Sequence, residues 1–309
     1  MRHVRGFVFS LLLIAFLGGC ARKAQKEAVV LYSSQDQLFA EPILKEFTRQ
    51  SGIEVRPLFD SESVKTAGLA HRLRAEKEYP GCDLFWSNEE LYTQTLARDG
   101  IFSAENVRSF GYRTRRLVIN TKKLNITNAP TSLLELTNDV WRGKFVFAYP
   151  LFGTTSCHFL ALREFWGDEL WKSWCYGLVR NVSKVVDGNS LVVKMVASGE
   201  AEIGLTDWDD INAGKKLGYP IMELPLKPDL MAIPNTVAIV RGAPHFPDAE
   251  QLRDFLIKPE TVNALVKAGA IEGADITEVQ TNLLHVDLSK SLKGFQEGEN
   301  FLRFIFVRS

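Results

Sequence analysis

The chain has 309 residues, with 37 Lys and Arg against 37 Asp and Glu, 46% hydrophobic and 24% charged residues. At roughly 100–200 residues per domain that length favours two domains, and the composition excludes a disordered or fibrous chain. A formal net charge of zero argues against a nucleic-acid partner, and no apolar run reaches the roughly 18 residues of a permanent membrane span.

Arg2 and Arg5 form a basic start, and residues 7–19 are apolar except Ser10. That run suits a signal-peptide core. It ends in Leu17-Gly18-Gly19-Cys20, where small residues admit a signal peptidase. The tetrapeptide resembles a bacterial lipobox, so residues 1–20 are expected to be a lipoprotein signal peptide, with Cys20 lipidated as the new N-terminus. Acyl chains contribute about 0.8 kcal/mol per buried CH₂, enough for several chains to anchor a soluble domain. The membrane is then met through the lipid alone. Residues 21–27 are a polar tether. Removing residues 1–20 takes away two Arg and no acid, leaving a net charge of −2. Of the four cysteines, Cys82, Cys157 and Cys175 remain. They match no zinc spacing; either Cys157 and Cys175 pair as a disulfide or all three are buried thiols.

From residue 28 strands and helices alternate. Short apolar runs at 28–32, 53–57, 83–86, 117–119, 145–147, 182–186, 203–205 and 237–240 read as strands. Helical periodicity covers residues up to about 50, then 62–77, 89–98, 155–166, 168–180, 190–199, 248–257 and 259–268. Pro42 is tolerable only in or near a first turn, and Gly52 suits a left-handed helix stop. The alternation predicts an α/β fold with mostly parallel sheets, whose ligands bind at the carboxyl ends of the strands. Those ends carry Ser33-Ser34-Gln35-Asp36, Ser87-Asn88, residues 149–156, Asp187-Gly188-Asn189-Ser190 and Thr206-Asp207-Trp208-Asp209-Asp210. Such residues are also the preferred helix N-caps. Five such loops point to a shared cleft, and helix N-termini facing it favour anions. Trp86 and Trp208 lie at these ends, whereas Trp166, Trp171 and Trp174 read as core or interlobe packing.

Val30-Leu-Tyr-Ser-Ser-Gln-Asp36, Asp83-Leu-Phe-Trp-Ser-Asn-Glu89, Gly111-Tyr-Arg-Thr-Arg-Arg-Leu-Val-Ile-Asn120, Trp141-Arg-Gly-Lys144, Leu151-Phe-Gly-Thr-Thr155 and Ala197-Ser-Gly-Glu-Ala-Glu-Ile-Gly-Leu-Thr206 occur in an order that resembles the bacterial extracellular solute-binding proteins of ABC transporters. The nearest branch is that of the ferric-iron-binding proteins, and the likeness runs from about residue 29 to 270. The resemblance implies a two-lobe periplasmic-binding-protein-like (type II) fold with a hinge and an interlobe cleft. Lobe one would be residues 28–115 plus 228–285, lobe two 116–227, and 286–309 a C-terminal segment packing on the lobes. It implies partners, an ABC permease and its ATPase, and a cell-envelope location, periplasmic or on the extracytoplasmic face. The segment 226–234, with Pro228 and Pro234, would be an irregular hinge crossing.

Carried over residue by residue, the resemblance places Ser33, Ser34, Gln35, Ser87 and Asn88 against ligand from lobe one, and Thr154, Thr155, Asn189 and Asp207 from lobe two. Arg113 and Arg115, two apart on a strand, point to one face; they would neutralise an anion or act as surface ion pairs. Ferric binders place two adjacent tyrosines in the segment after the Gly-Glu-Ala-Glu-Ile strand, here 199–203. This chain has Asp207-Trp208-Asp209-Asp210 instead. Asp207 and Asp209 are hard oxygen ligands that could hold a metal; Tyr32, Tyr112 and Tyr149 are the remaining phenol donors. The expected function is capture of ferric iron with an anion, or of a small anionic solute, by lobe closure, with no resident cofactor and no catalysis. No nucleophile elbow, zinc-protease or phosphate-loop motif occurs, and His158 reads as a helix residue. The alternatives are a ligand-sensing receptor domain of the same fold or, third, a secreted hydrolase.

Overall fold

A computed structural model describes residues 28–59, 65–151, 153–225, 228–279, 283–284 and 288–307. The expected signal peptide and tether, with Cys20, lie outside the described residues.

The chain builds two lobes on one continuous sheet. In lobe one, β1 (Val29–Ser33) pairs in parallel with β2 (Val55–Phe59) and β3 (Leu84–Ser87). In lobe two, β5 (Phe145–Ala148) pairs in parallel with β6 (Lys184–Val186) and β7 (Ile203–Asp207). Both sets are joined by β4 (Phe102–Asn120), a strand of 19 residues. Its first part runs antiparallel to β9 (Ala232–Val240), which also pairs with β3. Its second part runs antiparallel to β7 and to the short β8 (Ile221–Glu223). The parallel prediction therefore holds within each lobe, and the antiparallel strands β4 and β9 lie between them.

Strand residues alternate strictly between two buried faces. Tyr32, Phe85, Leu117, Phe145 and Phe147 enter one apolar cluster that extends across both lobes. Leu31, Leu84 and Trp86 face a second cluster in lobe one, and Val118, Val146 and Ala148 a third in lobe two. Helices cover both faces: α1 (Gln37–Ser51), α2 (Lys65–Ala75) and α3 (Leu91–Arg98), then α4 (Gly153–Trp166), α5 (Asp168–Arg180), α6 (Asn189–Ser198) and α7 (Trp208–Lys216), and finally α8 (Phe246–Leu256) and α9 (Pro259–Ala268). The C-terminal helix α10 (Leu288–Val307) places Phe306 on Phe147 and Phe159 and Phe301 on Trp171. No helix among the described residues is long and apolar enough to cross a membrane.

Several local expectations change. Trp86 does not face a cleft; it is wholly buried beside Phe110, 6.1 Å between ring centroids, because the pleat turns it to the side opposite Phe85. Pro42 lies in the second turn of α1. Its missing N–H leaves the carbonyl of Leu38 without a helical partner, and Leu38 is 78% exposed, so water can serve that oxygen. Pro234 lies inside β9, opposite Tyr112, beside a register shift in the pairing with β4. Gly111 makes that shift with φ of 54°; a Cβ there would meet Ile271 Cδ1 at 2.4 Å. Cys82, Cys157 and Cys175 are buried free thiols, so the disulfide option does not hold.

The strand expected at 182–186 begins only at Lys184. Val182 instead ends α5 in the left-handed conformation, φ 53°, with its N–H on Val179 O and the Ser183 N–H on Leu178 O. A β-branched residue is strained there, and its side chain is 57% exposed. Val182→Gly should raise stability by about 0.5–1 kcal/mol in urea unfolding; an unchanged or lower midpoint would show that no strain is stored at this turn.

Candidate functional site

Five strand-end loops lead directly into α1, α3, α4, α6 and α7, so local sequence dictates that each carries small polar residues. Capping does not use them all. Asp36 and Asp207 stand at the N-cap positions of α1 and α7, yet neither side chain makes a cap hydrogen bond.

Asp207 instead meets Arg115, directly opposite it in the β4–β7 pairing. Arg115 Nη1 lies 2.6 Å from Asp207 Oδ1 and donates to Asn189 Oδ1 at 3.2 Å and Thr154 Oγ1 at 3.3 Å. The second Asp207 oxygen accepts from Thr154 Oγ1 at 2.6 Å and Asn189 Nδ2 at 2.9 Å. Thr155 Oγ1 donates to Asn189 Oδ1 at 3.4 Å. Three predicted lobe-two residues, Thr154, Asn189 and Asp207, thus converge on Arg115, which is fully buried, and Thr155 joins them through Asn189. The surface ion-pair reading fails for both arginines.

Arg113 gathers residues of lobe one. Its Nη2 donates to Gln35 Oε1 at 2.9 Å, Ala270 O at 3.0 Å and Asn235 Oδ1 at 3.3 Å. Its Nη1 lies 3.1 Å from Asp209 Oδ2, contributed by α7 of lobe two. A guanidinium only donates, so the oxygen of each amide turns to it and the nitrogen turns away. Gln35 Nε2 and Asn235 Nδ2 are buried without hydrogen-bond partners, as are Arg113 Nε, Arg115 Nε and Nη2, and Asp209 Oδ1. Buried orphans are costly and few in native proteins. Here five donors and one carboxylate oxygen are gathered between two lobes.

The charge balance is acidic. Asp207, Asp209 and Asp210 bring one oxygen each to within 4.8 Å of one another. Burial lowers the pKa of Arg113, but the carboxylates of Asp209, Asp207, Asp36 and Asp210 outweigh it and raise the group overall. Burial pushes Asp209 up to about 7; Arg113 pulls it back, and Asp207 and Asp36 add to the rise. Four carboxylates thus act on Arg113, and the set offers hard oxygens to a cation as well as donors to an anion.

The other lobe-one residues hold their loops together. Ser33 Oγ accepts the Gln35 N–H at 3.2 Å. Ser34 Oγ accepts the Asn88 N–H at 3.0 Å and donates to Asn88 Oδ1 at 3.2 Å. Ser87 Oγ pairs with the N–H and Oε1 of Glu89, each at 3.3 Å. None of these hydrogen bonds reaches the arginines. Of the alternative phenol donors, Tyr32 donates to Glu76 Oε2 at 2.9 Å, and burial followed by Glu76 raises its pKa. The Tyr112 ring packs on Gly273. Tyr149 is half-buried after β5. His158 is buried in α4 with Nε2 2.7 Å from Asp229 O, and burial lowers it to about 3, so it is no base near neutral pH. Sequence reading missed Asn235, hidden inside a strand.

A family model described as bacterial extracellular solute-binding protein matches residues 29–270. The chain belongs to the bacterial extracellular solute-binding proteins. Members of that family are binding proteins, not enzymes. Among curated relatives, the Fe(3+)-binding periplasmic protein of Serratia marcescens is 26% identical over 63% of this chain and 61% of its own. The major ferric iron-binding protein of Neisseria meningitidis is 23% identical over 57% of each chain. The solute-binding protein thus spans about three-fifths of the length of these relatives. Among solved structures, iron-bound HitA from Pseudomonas aeruginosa has a TM-score of 0.79 at 19% identity, covering 90% of this chain and 99% of that one. AfuA from Actinobacillus pleuropneumoniae, with fructose-6-phosphate bound, has a TM-score of 0.79 at 16% identity, covering 91% and 99%. At these identities the structures establish the two-lobe fold.

Proposed function

We propose that this protein is the substrate-binding lipoprotein of an ABC importer, and that it captures ferric iron together with an anion by closing its lobes. The single observation that carries this reading is the trio Asp207, Asp209 and Asp210 set beside five buried, unpartnered donors. Carboxylate oxygens are hard donors suited to a hard cation. Guanidinium and amide N–H groups suit the oxyanion that would travel with it. The curated relatives named for ferric iron support the same cargo. Lobe one would be residues 28–115 with 228–285 and lobe two 116–227. Closure buries the solute, and the closed form would be what the permease and its ATPase accept. Cys20 would carry the lipid anchor; acyl labelling lost in Cys20→Ser tests that part.

A second reading is a small anionic solute without metal. It is favoured by the absence of an adjacent tyrosine pair and by Asp207, both of whose oxygens are already engaged by Arg115, Thr154 and Asn189. Equilibrium dialysis against ferric citrate and against inorganic phosphate separates the two. Iron retention that drops at least tenfold in Asp209→Asn, with phosphate binding kept, supports iron capture. Phosphate binding with no iron retained by the parent supports the second reading. Binding of neither contradicts both.

A further inference from the structure

The two lobes meet at a point that the solute network does not use. Helix α3 begins just after the Ser87-Asn88 loop of lobe one, and α4 begins shortly after residues 149–151 of lobe two. Tyr92, in the first turn of α3, is 1% exposed. Its hydroxyl lies 3.0 Å from Leu151 O in the lobe-two loop and 3.1 Å from Glu299 Oε1 on α10. Its ring meets Phe295 edge-on, 5.1 Å between centroids. A phenol has one proton, which these two acceptors share.

Helix α10 belongs mainly with lobe two. Phe306 and Phe301 pack there, and Arg163 of α4 donates to Gly294 O at 2.7 Å and pairs with Glu297 at 2.7 Å. Toward lobe one, it offers Phe295 and Glu299 to Tyr92, and Leu292 O to Arg98 Nη1 at 2.5 Å.

We propose that Tyr92 is a positioning residue for solute capture, a lobe-one peg seated in a socket that lobe two and α10 complete. It sets how the Ser87-Asn88 loop stands against the loop leading to Thr154 and Thr155 without touching solute, so the proposal holds whichever solute is bound.

Hydrogen exchange by mass spectrometry on the full chain without ligand tests it. Tyr92→Phe keeps the ring and removes the hydroxyl. Exchange should become about two- to tenfold faster around Leu151 and along residues 292–299, the equilibrium equivalent of one net hydrogen bond. Strands β1 and β3 should stay unchanged. Thr95→Val is the control, because the Thr95 hydroxyl bonds only within α3, to Leu91 O at 2.8 Å; it should leave Leu151 and 292–299 as in the parent. Unchanged exchange at those segments in Tyr92→Phe, acceleration spread equally over β1 and β3, or the same acceleration in Thr95→Val would each overturn the proposal.

Discussion

Arg115→Met should lower the melting temperature by roughly 5–15 °C, corresponding to about 3–5 kcal/mol. Arg115 and Asp207 are almost wholly inaccessible and 2.6 Å apart. Removing the guanidinium leaves a carboxylate in the interior with only Thr154 and Asn189 to solvate it. Asp207→Ala strands the guanidinium in the same way and should cost about as much. The double variant should cost little more than either single change, since neither charge is then left alone, and Asn189 Nδ2 already lies 3.2 Å from Thr154 Oγ1. Strictly additive losses would mean that the pair is not the structural unit described. The comparison also bears on function: an arginine that served solute alone would leave the melting temperature nearly unchanged when replaced.

Local pattern made the lobes legible because strands such as β1, β3, β5 and β7 are buried on both faces and helices α1, α6 and α9 stop at left-handed glycines. Helices α5 and α9 coincide with their expected spans, since Gly167 and Asp168 open the first, and Pro259 and Gly269 bound the second. What local pattern could not supply was β4. Residues 102–116 mix two serines, Glu105 and four arginines with few apolar positions, and they extend only because β9, more than a hundred residues later, lies alongside. Pro234 looked like a connection for the same reason: a proline tolerated opposite a bulge reads as a strand breaker when its partner is unknown.

The site was legible in its residue types, and less so in its partnerships. The Asp207 side chain is in an N-cap position, and capping was the ordinary reading; only the register of β4 against β7 turns it to Arg115. Arg113 and Arg115 share a strand face as their spacing requires, yet one gathers Gln35 and Asn235 and the other Thr154 and Asn189. Asn235 had no sequence signal beyond being polar inside an apolar run, and it is the buried polar residue in a strand that most often has a reason to be there.

Glu89 gives the second large effect, and it is one of pH. Its carboxylate is buried in lobe one, accepting the Tyr92 N–H at 3.1 Å and facing Ser87 Oγ at 3.3 Å. Burial pushes it up to about 8; the Tyr92 and Leu91 N–H groups and Ser87 oppose that rise, and Glu90 adds to it. The folded state therefore holds a proton that the unfolded state releases near pH 4.5. Between those two values the native chain binds more protons than the unfolded one, so this residue's contribution to stability is complete below about pH 4.5 and is lost as pH rises through 8. Glu89→Gln keeps an acceptor for the helix N–H groups and cannot ionise. It should match the parent near pH 5 and exceed it by about 2–4 kcal/mol at pH 8.5, read as urea midpoints across the range. Parallel curves for the two proteins would mean that Glu89 is ionised throughout, and a variant weaker at every pH would mean that the negative charge itself holds the start of α3.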